Sequence, residues 1–474
     1  MKSKKFVLAG LVLLAAITMV LLPLSGCKND TVPPEVEKQE QGDGGGSETD
    51  KNNTAAKLVS ISVTPSARTV YSVGEKVAGE IEVIATYDDE EEKLVTGRIT
   101  TDTSTLTQSA GVKTVTVSYK DRETIKTTTF TVTVFPEEVK VLTGYTNPNH
   151  TGSGWTYVAF GEWPQTIKAE GVDVDETKSK TMGMFTYYLG SDSNYYVKEE
   201  ENANGSGTEY QYSNGEQAGG AGTSTKWFKV EPIVWRVLTT SYKAPEGGTV
   251  GEILLLAEKI LTGGVPYYDV YNVNRTVGEA TIYPNNYEHS QIRAWLNGLS
   301  YESKESEGAT QSSKDEYKNA GFLQTAFTES ARKLIADTSV DNSAASTIPS
   351  EITAEALKSD WNDGVNPYAS DIRTTDKVFL LSEAEATTLN SGFAAYDAAG
   401  QGNTRIRVTT DYAKATGAFQ SSTSGYGGWW WLRSPNYNDV RNAHVIRIIG
   451  DAYNDYSVNY SYGGVVPALS ISLQ

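Results

Sequence analysis

The stretch Trp227-Phe228-Lys229-Val230-Glu231-Pro232-Ile233-Val234-Trp235-Arg236-Val237-Leu238 and the run Ile253-Leu254-Leu255-Leu256-Ala257 decide how the second half of the chain is read. A short, continuous apolar run fits a strand covered on both faces. Val378-Phe379-Leu380-Leu381 is a second such run. Helical patterns lie between them. Ile292, Trp295, Leu296 and Leu299 fall at i, i+3, i+4 and i+7, one face of a helix. Leu323, Phe327, Leu334 and Ile335 predict a second helix, and Ser382 with Glu385 three residues on is a capping box that opens a third. Residues 140–474 therefore read as α+β. An insert near 198–225, rich in Glu, Asn, Gly and Ser, is expected to be a long surface loop or disordered.

Residues 57–136 have a different rhythm. Val59, Ile61 and Val63 alternate with polar residues, as do Ile81, Val83, Ala85 and Tyr87, then Val115, Val117 and Tyr119, then Phe130, Val132 and Val134. Period-two alternation in short runs predicts half-buried strands, and several of them in so short a span predict an antiparallel sandwich. The acidic run Asp88–Glu92 reads as a solvated hairpin tip rather than a calcium site, and Pro136 closes the unit because proline cannot continue a ladder.

The N-terminus carries Lys2, Lys4 and Lys5, an apolar run from Phe6 to Leu22, and Leu24-Ser25-Gly26-Cys27. A basic start, a short apolar stretch and small residues before a cut make a signal peptide of residues 1–26. Residues 27–56 read as a flexible linker, with Pro33-Pro34, Gly44-Gly45-Gly46 and scattered charge, spanning roughly 30 Å as a random coil. The net charge of −18 repels phosphate backbones and argues against nucleic-acid binding. Cys27 is the one cysteine, so no disulfide forms within the chain and thiol catalysis is excluded.

Several of these segments resemble known families. The first 27 residues resemble a bacterial lipoprotein signal. That resemblance implies cleavage before Cys27, acylation of Cys27 by palmitate-type chains, and a membrane partner held through that lipid. Lys28 after the cysteine points to the outer membrane or cell surface of the envelope. Tyr71-Ser72-Val73-Gly74-Glu75, Ala85-Thr86-Tyr87-Asp88-Asp89 and Gly111-Val112-Lys113-Thr114-Val115-Thr116-Val117 resemble bacterial immunoglobulin-like domains, which implies a spacer or adhesion module. Gly161-Glu162-Trp163-Pro164-Gln165, Pro232 to Leu238, Ile292-Arg293-Ala294-Trp295-Leu296-Asn297, Asp376 to Ser382, Trp430-Trp431-Leu432-Arg433-Ser434-Pro435 and Val466-Pro467-Ala468-Leu469 resemble a bacterial family known as domain of unknown function 6273. The end of the chain is also similar to C-type-lectin-like domains, with a Trp-rich strand, a polar aromatic stretch and a short terminal strand. The implied architecture is multidomain: an all-β immunoglobulin-like sandwich, then an α+β C-type-lectin-like domain.

The polar aromatic stretch holds the candidate site. Of the 27 residues from Asn436 to Tyr462, 15 are Asn, Tyr, Asp or Ser. Val445, Ile446, Ile448 and Ile449 read as a core strand ending at Gly450. Tyr gives large rigid contact area for few rotamers, and Asn and Ser give adaptable hydrogen bonds, the mixture that paratopes use. In Trp429-Trp430-Trp431, strand alternation predicts that Trp430 is buried and its neighbours exposed, or the reverse. The residues expected to contact a ligand are Trp429, Trp431, Tyr437, Asn438, Tyr453, Asn454, Tyr456 and Tyr460.

No catalytic constellation accompanies them. His150, His289 and His444 do not pair at metal spacing, so no metal and no cofactor are expected. No nucleophile elbow or phosphate loop is present. Trp361-Asn362-Asp363 spells a sugar-binding tripeptide of calcium-dependent lectins, but it lies far upstream of the Trp-rich strand and reads as coincidence. The expectation is a surface-anchored, non-enzymatic, adhesin-like or lectin-like protein with a glycan or surface-protein ligand. The alternatives are an enzyme acting on envelope polysaccharide, which needs two opposed carboxylates, and a purely structural envelope protein.

Overall fold

The structure is a computed structural model. It describes residues 55–64, 68–76, 81–147, 150, 154–203, 210–222, 224–242, 252–349, 366–370 and 372–473. Cys27, the signal peptide, almost all of the linker and Trp361-Asn362-Asp363 lie outside the described residues. What is described is mostly β-structure, arranged in several sheets.

In residues 57–136, Leu58–Val63, Val83–Tyr87 and Glu92–Leu94 form one sheet, and Val70–Ser72, Ile99–Thr101, Gly111–Asp121 and Thr124–Phe135 form another. Both contribute to one core, with Ile61, Val83, Ala85 and Tyr87 from the first sheet and Val115, Val117, Tyr119 and Val132 from the second. The alternation of Val83–Tyr87 and Val115–Tyr119 is realised as read. Val59 is a correction: it is 49% exposed, while Leu58 and Ile61 face the core. The register of this strand slips between Leu58 and Ser60, and a one-residue slip turns a side chain to the other face. The acidic run forms the turn between Tyr87 and Glu92, with Glu90 at φ 66.

The larger sheet is organised by the strand Thr225–Tyr242. Tyr157–Ile167 pairs along one edge of it. The other edge pairs first with Tyr195–Glu200 and further along with Glu252–Ala257. Ala468–Ser472 then pairs with Glu252–Ala257, and Val378–Phe379 pairs with Ala468–Ser472. Pro232 is tolerated mid-strand because it falls between those two partners, at a shift in the register with Tyr157–Ile167. Gly161 stands in the same irregular stretch at φ 71, and a Cβ there would sit 2.5 Å from the Phe327 ring. Ile253 to Ala257 are all nearly inaccessible, as the apolar run predicts.

The helices are short. Gln291–Asn297 buries Ile292, Trp295 and Leu296 but ends at Gly298 in the left-handed region, leaving Leu299 outside and 37% exposed. The second predicted helix is two, Phe322–Ala326 and Glu329–Leu334, because Phe327 turns extended and Thr328 caps the second. The capping box at Ser382 is present: its hydroxyl accepts from Glu385 N at 3.2 Å and Glu385 Oε2 accepts from Ser382 N at 2.9 Å. Among the described residues no helix is long and apolar enough to cross a membrane.

The expected surface loop near 198–225 is corrected in the part that is described. Residues 198–200 belong to a strand, and Tyr210, Tyr212 and Ala218 sit in the main core. The buried Glu201 carboxylate accepts from Tyr212 Oη at 2.7 Å and from Gly219 N at 2.9 Å, while Ser213 N donates to Asp411 Oδ1 at 2.9 Å. Satisfied polar groups let a polar segment enter a core, and its average composition hides the two tyrosines that do so. Residues 204–209 are outside the described set.

Candidate ligand-binding face

The family-like motifs prove to be mutual anchors. Arg293 pairs with buried Asp376 at 2.8 Å. Asn297 Oδ1 accepts from Lys377 N and Val378 N, both at 3.1 Å, and its Nδ2 donates to Val378 O at 2.7 Å. Buried Arg433 donates to Leu380 O at 2.8 Å and to Asp341 O at 2.9 Å, and pairs with Glu385. Ser434 Oγ accepts from Glu383 N at 2.9 Å. Helix, apolar strand and Trp-rich strand are therefore tied by hydrogen-bonded side chains rather than arranged around a cleft.

The Trp-rich strand Trp430–Pro435 leads into the hairpin Asn442–Ile446 and Ala452–Ser457. The apolar knot ends sooner than read. The strand stops at Ile446, and a turn closes over Gly450, with Arg447 N donating to Asp451 O at 2.9 Å. The alternation expected of Trp429-Trp430-Trp431 is also corrected: Trp430 and Trp431 are both inaccessible, and Trp429 is half-buried. Every residue from Trp430 to Pro435 is buried, so this strand is covered on both faces. Trp430 Nε1 donates to Arg405 O at 3.1 Å. Trp431 packs against Tyr267, with centroids 5.6 Å apart, and a methyl on Gly463 would sit 2.5 Å from its Nε1.

From that base a column of rings rises to the surface. Tyr456, 5% exposed, meets Trp431 at 5.0 Å, Trp429 at 4.7 Å and Tyr460 at 5.3 Å. Tyr460 stacks on Tyr462 at 5.9 Å with 30° between planes. Phe419 flanks Trp429 at 5.9 Å. Burial, with Tyr460 and Tyr462 close by, pushes the Tyr456 hydroxyl well above its usual range, so it stays neutral. The outer rings are the accessible ones: Tyr460 is 46% and Tyr462 43% exposed.

The structure thus brings four of the eight expected residues together: Trp429, Trp431, Tyr456 and Tyr460. Trp431 and Tyr456 are supports beneath the face, not part of its surface. Tyr437 and exposed Asn438 lie on a separate loop pinned by Asn436, whose Oδ1 accepts from Asn438 N at 2.7 Å and whose Nδ2 donates to Asn454 O. Tyr453 stands under the Arg447 guanidinium at 4.4 Å, and Asp451 holds that arginine. Tyr462 is the residue missed. Its signal was its place two residues after Tyr460 in the same polar run. The stretch is seated on residues 140–474: Asn285 Nδ2 donates to Asn442 O at 3.0 Å, and Phe419 N to Tyr462 O at 3.1 Å. Among the described residues no group of three or more His, Cys, Asp or Glu is placed to hold a metal ion.

Residues 250–473 match the model of a family described as "Domain of unknown function (DUF6273)". The match takes in the motifs from Ile292 onward and begins downstream of Gly161–Gln165 and Pro232–Leu238. No curated protein matches the chain.

Proposed function

We propose that this chain is a lipid-anchored envelope protein whose C-terminal half recognises a ligand without transforming it. The observation that carries the reading is the exposed pair Tyr460 and Tyr462, stacked on each other and rooted through Tyr456 on buried Trp431 and half-buried Trp429. Rings held in place by packing lose little entropy on binding, and a flat pair of phenols suits a sugar ring or an apolar patch of a surface protein. Two sheets sharing one core support an immunoglobulin-like spacer for residues 57–136. A twisted sheet with short helices, followed by a small sheet bearing the Trp-rich strand, supports a C-type-lectin-like α+β reading of residues 140–474.

Two results are expected. Cys27→Ala should abolish labelling by a palmitate analogue and leave the chain as a larger, uncleaved precursor that keeps residues 1–26. Label retained in that chain would refute the anchor. On arrays of glycans and purified surface proteins, Tyr460→Ala with Tyr462→Ala should weaken binding roughly tenfold or more. The same pair should shift stability by no more than about 1 kcal/mol, since both side chains are exposed. Affinity that does not change, or a chain that binds nothing on either array, sinks the recognition reading.

A further inference from the structure

A cavity of about 270 Å³ opens on the larger sheet, and one of its lining residues, Gly264, donates its N–H to Ser461 O at 3.0 Å. Half-exposed Met184 and Phe185 line it, with the nearly buried rings of Trp163, Trp295 and Tyr412 behind them. These rings are mutually packed: Trp163 lies 4.9 Å from Phe185 and 5.8 Å from Trp295, and Phe185 lies 5.8 Å from Tyr412. Glu199 is set into that wall, its Oε2 accepting from Tyr412 Oη at 2.8 Å. Among the described residues no Lys, Arg or His lines the cavity, and none pairs with Glu199; its other charged lining residue is Glu200.

We propose that this cavity binds a small organic cation, a substituted ammonium whose charge meets the Glu199 carboxylate and whose carbon substituents lie against Phe185 and Met184. A half-buried carboxylate without a cation is costly, and aromatic walls attract ammonium groups that shed water easily. Burial raises the Glu199 carboxyl above its usual range despite the Tyr412 hydrogen bond, and an arriving cation would relieve that cost. The volume suits a ligand of a few carbons rather than an oligosaccharide. Neither Tyr460 nor Tyr462 lines this cavity, and the proposal does not rest on the recognition reading.

The test uses the full chain, with choline chloride as the probe and its uncharged isostere 3,3-dimethylbutan-1-ol as the control. Choline should produce a saturable change in tryptophan emission and a matching heat of binding, and the isostere should neither bind comparably nor compete. Glu199→Gln should weaken choline binding by roughly tenfold or more, whereas Tyr460→Ala with Tyr462→Ala should leave it unchanged. Equal binding of alcohol and choline, no saturable response, or full affinity in a folded Glu199→Gln chain overturns the proposal. If Glu199→Gln fails to fold by circular dichroism, the comparison of choline with its isostere on the unaltered chain decides.

Discussion

Replacing Glu258 by glutamine is expected to cost about 3–5 kcal/mol and to lower the thermal midpoint by on the order of 10 °C. Glu258 is 5% exposed and Arg236 not at all. They meet in a two-pronged pair, Arg236 Nε to Oε2 at 2.9 Å and Nη2 to Oε1 at 2.8 Å, with Asn147 also donating to the carboxylate. The guanidinium of Arg236 further lies 3.6 Å over the Trp155 ring. A second buried arginine stands close by: burial, then Arg236, pulls Arg407 down to about 9, and Glu258 opposes that. Removing the carboxylate leaves two buried guanidiniums, both donating to Thr404 O, without it, which is the expensive way to break an ion pair. Burial alone would raise the Glu258 carboxyl, but Arg407 and Arg236 outweigh it and hold it below its usual 4.5. Its contribution is thus present above that value and lost as pH falls through the lower folded one. His150 acts on the same side. Burial, then Arg236 and Arg407, lowers it from 6.5 to about 4. The unfolded chain takes up the histidine proton below pH 6.5 and the folded chain only below about 4, so stability falls as pH drops across that window. Denaturant melts from pH 7 down to about pH 4 check the histidine, and melts carried further into acid check Glu258. An unaltered midpoint in Glu258→Gln would show that solvent, not Glu258, neutralises these arginines.

That cluster also shows where the sequence could be read and where it could not. Period-two alternation in Val83–Tyr87 and Val115–Tyr119, the apolar run Ile253–Ala257 and the Ser382 capping box depend on neighbours within a few residues, and each appears as read. Val59 fails because a register slip is set by the partner strand, not by the residue itself. The second helix breaks because Phe327 leaves the helical face to pack its ring 4.8 Å from Phe160. Arg236 sits in a legible strand, yet nothing local says that Glu258, Asn147 and Arg407 will surround it.

The candidate face was legible in composition and not in orientation. The Tyr- and Asn-rich run does carry the exposed rings. Which tyrosine points outward depends on a hairpin whose register shifts between Ala443 and Val445, and on a Trp-rich strand covered on both faces, where alternation no longer sorts inside from outside. Tyr460 and Tyr462 lie after the hairpin, two residues apart, and stay accessible. The cavity at Glu199 had no local signal at all, because Trp163, Phe185, Glu199, Trp295 and Tyr412 come from five separate segments that only the sheet topology gathers.

Tyr456→Ala is expected to be as damaging as the loss of Glu258, at about 3–5 kcal/mol, the range for deleting a large buried ring. The side chain is 5% exposed and touches three other rings within 5.3 Å centroid to centroid. The strand around it cannot close the space easily, since Trp431 is held in the buried strand, Trp429 O accepts from Gly464 N at 2.7 Å, and Tyr460 is the most exposed of the three. Binding at the face should fall as well, because Tyr460 loses the ring that orients it and Tyr462 is stacked on Tyr460. Tyr456→Phe keeps the ring and should change stability by less than about 1.5 kcal/mol and leave binding intact. Tyr460→Ala with Tyr462→Ala should show the opposite pattern, with near-native melting and lost binding. Calorimetric melts of the three chains beside their ligand affinities therefore separate a support from a contact: native-like melting of Tyr456→Ala would remove it from the core of the column, and native-like ligand affinity in that chain would mean that Tyr460 and Tyr462 hold their places without it.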